Sequence, residues 1–186
     1  MSSTPTSLSP TSVATSLRKL YFFRFGFALV WAAVVFAIGS SLSPITAVVL
    51  VLYPLFDLAA AIVDVRASRA AGSVRLLYVN MALSLLAAVG LAIAATSGAP
   101  AVLRVWGAWA LTAGLVQLIV GIRRRALGGQ WIMIISGGLS VLVGAAFIGM
   151  ASGASASVTS LGGYATLGGV FFLISALRLR RAAKGL

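Results

Sequence analysis

The chain contains no cysteine and no histidine, and its only acidic residues are Asp57 and Asp64, against fourteen lysines and arginines. Without cysteine there is no disulfide, no thiolate nucleophile and no thiolate metal ligand. Without histidine the chain lacks the commonest metal ligand and the usual neutral-pH acid–base group. Two carboxylates are too few for a hard-cation site built from oxygen ligands. The inventory argues against an enzyme and predicts neither metal nor cofactor. Charge of either sign is scarce: 9% of the residues are charged and 61% are hydrophobic. A soluble domain is nearer about a quarter charged.

What is present is a series of six apolar runs, at about 20–40, 45–63, 75–96, 101–121, 130–150 and 158–177. About 20 apolar residues, rising about 1.5 Å each, cross a hydrocarbon layer of about 30 Å. In lipid such a segment satisfies its own backbone hydrogen bonds only as a helix. The predicted fold class is therefore an all-α integral membrane protein with six transmembrane helices. Residues 1–17, rich in Ser, Thr and Pro, are expected to form a disordered tail, and 18–184 the membrane domain. The run after Arg18 and Lys19 is longer than a signal-peptide core, and a second apolar run follows at once. It reads as an uncleaved first helix.

The basic residues alternate with the runs. Arg18 and Lys19 precede the first, and Arg66, Arg69 and Arg75 mark the connection after the second. Arg123, Arg124 and Arg125 follow the fourth, and Arg178, Arg180, Arg181 and Lys184 follow the sixth. The turns at 40–44, 97–100 and 151–157 carry no charge. Because cytoplasmic flanks collect Lys and Arg, both termini and the arginine loops are predicted to face the cytoplasm. The net charge of +12 is then accounted for by topology and by contacts with anionic lipid headgroups, not by nucleic acid.

The same alternation divides the chain into three hairpins, opening at Arg18-Lys19-Leu20-Tyr21, at Arg75-Leu76-Leu77-Tyr78 and at Gly129-Gln130-Trp131. Ile62-Val63-Asp64-Val65-Arg66 aligns with Ile119-Val120-Gly121-Ile122-Arg123 at the offset that separates Tyr21 from Tyr78. A hairpin repeat of about 55 residues fits units that bury their inner faces on one another.

Asp57 is the sharpest intramembrane signal. A carboxylate at a helix centre costs about 2.5–3.5 kcal/mol on insertion scales, so it is expected to turn inward to a polar partner. Arg24, Asn80 and Gln117 stand at similar depth in the first, third and fourth runs. The expected arrangement is a polar layer with Arg24 paired to Asp57 and the two amides supplying hydrogen bonds. Such a layer either serves function or only pins helix register. Asp64 is expected to pair with Arg66 or Arg69 at the boundary. Arg104, near the other end of the fourth run, is expected to reach the outer headgroups beside Trp106 and Trp109, or to face an outer vestibule as a cation site. Pro54, inside the second run, predicts a kink that frees the carbonyl of Leu50. Gly107, Gly114 and Gly121 recur every seven residues, and Ser136, Ser140 and Gly144 form a small-residue face. These faces predict close helix approach, either within a compact bundle or between copies in a homo-oligomer. Gly128-Gly129 lacks the following Lys-Ser/Thr of a phosphate loop.

Arg24 with Phe25-Gly26-Phe27, the segment Tyr53-Pro54-Leu55-Phe56-Asp57, and Gly114-Leu115-Val116-Gln117 running to Arg123-Arg124-Arg125 together resemble the HdeD-like family of short-repeat bacterial membrane proteins. Gly137-Gly138-Leu139-Ser140, and Gly163-Tyr164 with Gly168-Gly169, extend the resemblance to nearly everything from Arg18 to Lys184. Leu58 stands where that family usually has glycine after the aspartate. The resemblance implies a multi-pass bacterial inner-membrane protein linked to acid or envelope stress tolerance, with no catalytic residues to carry over. A small transporter or channel around Asp57, and a scaffold binding partners or lipid through its arginine loops, are the alternatives that the residues leave open.

Overall fold

The computed structural model describes residues 10–69, 74–127, 130–153 and 156–182. They form six helices: α1 (Pro10–Ile38), α2 (Pro44–Ser68), α3 (Arg75–Ala94), α4 (Ala99–Arg123), α5 (Trp131–Met150) and α6 (Ser160–Ala182). Each contains a stretch long and apolar enough to cross a membrane. The chain is a multi-pass membrane protein. Its outer surface fits lipid: Phe23, Val30, Ile45, Leu86, Ile93 and Leu142 each stand about two-thirds exposed.

Local chemistry sets the helix ends. Ser43 accepts a hydrogen bond from the Thr46 amide at 3.2 Å and Pro44 opens the first turn, the usual start of a capped helix. Gly98, at φ +94°, turns the chain from a short 3-10 segment at Ala95–Ser97 into α4. α2 runs on to Ser68 and α6 to Ala182, each five residues past the apolar run that predicted it.

The expected tail needs a correction. Residues 10–17 are helical and belong to α1. Leu17 is fully buried in a cluster with Tyr21, Met133, Phe172, Ala176 and Leu179. An apolar residue four before Tyr21 shares its helix face, so the helix gains core by starting early. Residues 1–9 lie outside the described ones, as does Lys184.

Each helix packs on its chain neighbours, and α6 returns to α1, closing a ring. The most extensive contacts are α4 with α5, α1 with α6 and α2 with α3. The expected hairpins therefore bury themselves on one another more than their own arms do. Along the α4–α5 seam the small residues interlock. A Cβ on Gly144 would lie 2.6 Å from the Gly107 carbonyl oxygen, and one on Gly137 2.6 Å from the Leu118 amide nitrogen. The glycines of α4 and the small face of α5 thus serve packing inside the bundle. Close backbone approach of this kind is what holds helices together in lipid, where apolar burial offers no drive.

One half of the ring is filled by aromatic rings. Trp31 stacks on Trp106 with centroids 5.3 Å apart, and Trp106 meets Trp109 edge-on at 5.4 Å. Trp106 is fully buried and Trp109 nearly so, whereas Arg104 is exposed. The expectation that these tryptophans flank Arg104 at the headgroups is therefore corrected. Arg104 lies two and five residues from them and leaves the helix on another face.

Candidate functional site: a polar cavity inside the ring

Five helices deliver the centre of the site. Arg24 on α1 forms an ion pair with Asp57 Oδ1 on α2. Asn80 Nδ2 and Ser84 Oγ, both on α3, donate to Asp57 Oδ2 at 2.7 Å each. Trp109 Nε1 on α4 donates to Ser84 Oγ at 3.2 Å. From α6, the Phe172 ring lies under the Arg24 guanidinium at 4.5 Å, a cation–π contact. The carboxylate is thereby bonded through both oxygens, as a buried charge requires. Asn80 and Ser84 are four residues apart, so one α3 face reaches the same oxygen.

Three of the four residues expected in the layer meet as predicted. Gln117 does not touch Asp57: its Nε2 donates to the Met133 carbonyl on α5 at 3.2 Å. It nevertheless lines the same cavity as Asp57, Arg24 and Asn80. Ser84, Trp109 and Phe172 are participants that sequence reading missed. For Ser84 the i+4 spacing from Asn80 was the available signal.

Asp64 does not pair with Arg66 or Arg69. Arg124, at the end of α4, grips it bidentately, with Nη1 to Oδ2 and Nη2 to Oδ1 both at 2.9 Å. Ser68 Oγ donates to Asp64 Oδ1 at 2.9 Å and accepts from Arg124 Nη2 at 3.0 Å. The physical reason is helical geometry: Arg66, two residues on, points away from Asp64. Arg69 instead donates to the Tyr78 hydroxyl at 2.7 Å. Burial works against the charge on Arg124, but the hydrogen bond and charge of Asp64 more than offset it, holding its pKa above the ordinary arginine value. Replacing Arg124 by glutamine is expected to lower stability by about 3–5 kcal/mol, because Asp64 is left charged and mostly buried. Arg125→Gln, at an exposed position, is expected to change it by less than about 0.5 kcal/mol. Paired thermal denaturation in detergent checks the contrast.

Arg66, Arg69, Arg75, Arg123, Arg125 and Arg178 are exposed. The side chains of Arg180 and Arg181 lie outside the described ones. At Pro54 the helix continues, and Trp31 Nε1 donates to the carbonyl of Val49 at 2.6 Å, one residue before the carbonyl expected to be met.

Both arginine–aspartate pairs line one cavity of about 100 Å³. A single water needs about 10–15 Å³ and two to four polar partners, so this space has room for several. Its polar wall includes Tyr21, Asn80, Gln117, Ser136, Ser140 and Tyr164. Asp57 and Asp64, seven residues apart on α2, set the two charged levels about 10 Å apart along it. Among the described residues no cluster of metal-ligating side chains occurs. The chain matches no protein-family model, no curated protein and no solved structure.

Proposed function

We propose that this protein is a non-enzymatic bacterial inner-membrane protein of the HdeD-like type, contributing to acid or envelope stress tolerance, and that its central cavity binds or passes a small polar solute. Duplicated hairpins and cytoplasmic termini are part of the proposal and rest on the sequence pattern. The solute reading is supported by one observation: the two acids of the chain, each held by an arginine, line a single cavity roomy enough for water. A layer that only pinned helix register has no need of that space. The exposed arginines favour a second reading, a scaffold on anionic lipid or a partner. A strain lacking the gene separates the two under acid shock. The solute reading expects Asp57→Asn to fail to restore survival and charge reversal at Arg123 and Arg125 to restore it. The opposite pattern supports the scaffold and contradicts the cavity.

A further inference from the structure

Taking the cavity as a solute site, the geometry points to its substrate: a short-chain monocarboxylate that binds Arg24 in place of Asp57 and enters together with one proton. Arg24 carries five N–H donors in a planar fork, a shape that matches a carboxylate. Among the described residues its one hydrogen-bond acceptor is Asp57 Oδ1. Its side chain retains 16% of its accessible surface, and it lines the cavity. Phe27, Phe56 and Phe172 line the same space and suit a short apolar tail. Tyr53 and Tyr164 add hydroxyl groups to the lining.

Charge neutrality supplies the proton. As it stands, Arg24 and Asp57 cancel, and so do Arg124 and Asp64. An anion taken up by Arg24 alone would leave one uncompensated negative charge in a low-dielectric space. The balanced exchange takes in one carboxylate and one proton: the carboxylate takes the Arg24 fork, and the proton goes to Asp57 Oδ1 as its ion pair opens. The net charge of the site is zero before and after. Asn80 and Ser84 continue to donate to Oδ2, so protonated Asp57 stays in place. Among the described residues, the neighbouring elements bring few other titratable groups to the site. Tyr21 and Arg24 come from α1, Tyr53 and Asp64 from α2, Arg124 from the end of α4 and Tyr164 from α6, whereas α3 and α5 contribute only Asn80, Ser84, Gln130, Ser136 and Ser140 to this region. Asp64 remains held by Arg124 and Ser68. Asp57 alone loses its cation.

Calorimetric titration of the purified full chain in nanodiscs with propionate tests this, run in two buffers of different ionisation enthalpy. The expected result is uptake of one proton per propionate, with apparent affinity rising about tenfold for each unit that pH falls while Asp57 is the group being titrated. Asp57→Asn is expected to bind propionate with no proton uptake and little pH dependence, and to melt at higher temperature when propionate is present. Arg24→Gln is expected not to bind. Binding without proton uptake in the unmodified protein overturns the proposal, as does proton uptake that persists in Asp57→Asn. An equal response to chloride overturns the carboxylate assignment. Absent propionate binding alongside water access to the cavity, measured at Ser136→Cys, overturns this inference and leaves the solute reading standing. Absent water access removes both.

Discussion

Asp57→Leu is expected to cost about 3–5 kcal/mol, the range for removing one partner of a buried ion pair. The loss comes from what remains. Arg24 keeps its charge with no counter-ion, and Asn80 and Ser84 lose the oxygen to which both donate. Ser84 also accepts from Trp109, so the disturbance reaches the aromatic half of the ring. Arg24→Leu combined with Asp57→Leu is expected to recover most of the loss, because an apolar pair in place of an ion pair is often neutral or better. Thermal denaturation of the two single variants and the double variant in one detergent gives the coupling directly. Additive losses would show that the two residues do not depend on each other, contrary to the site described above.

Gly144→Leu is the second large effect. The Cβ alone would stand 2.6 Å from the Gly107 carbonyl oxygen and 2.6 Å from the Leu111 amide nitrogen, both of them backbone atoms that cannot rotate aside. The α4–α5 seam must open, and overpacking of this kind costs at or above the upper end of about 1–3 kcal/mol. Gly138→Leu, six residues earlier on the same helix, meets nothing within 4 Å of its Cβ and is expected to be tolerated within about 0.5 kcal/mol. Equal melting temperatures for the two variants would mean that the glycine seam does not hold the bundle.

The sequence made the six helices and the central ion pair legible for the same reason. A charge inside an apolar run must be compensated, and depth from the basic flanks indicates which residues can reach it. Arg24, Asp57 and Asn80 were found in this way. Gln117 was placed at the right depth but bonds the Met133 carbonyl, because depth does not specify rotation about the helix axis. In water a hydrophobic stripe gives that rotation. In lipid both faces of a helix are apolar, so the stripe is faint and only polar residues and glycines mark the inside. That is why Trp106 and Trp109 read as headgroup aromatics when they fill the ring interior. Asp64 shows the opposite error. Nearby arginines in the sequence drew the pairing, whereas its partner Arg124 comes from another helix sixty residues on. Leu17 was lost to the composition of the tail around it, although its spacing from Tyr21 already placed it on a buried face.

The central claim is that the space between the two arginine–aspartate pairs is filled with water inside the membrane. Because the chain has no cysteine of its own, a single introduced thiol reports on one position without background. Ser136→Cys is nearly isosteric and lines the cavity, and Leu142→Cys on the same helix faces outward at 68% exposure. In lipid vesicles a small hydrophilic methanethiosulfonate is expected to modify Ser136→Cys readily and to leave Leu142→Cys unmodified, since only a cysteine in contact with water ionises to the thiolate that attacks the reagent. An unreactive Ser136→Cys, in a protein that is folded and inserted, would contradict the account.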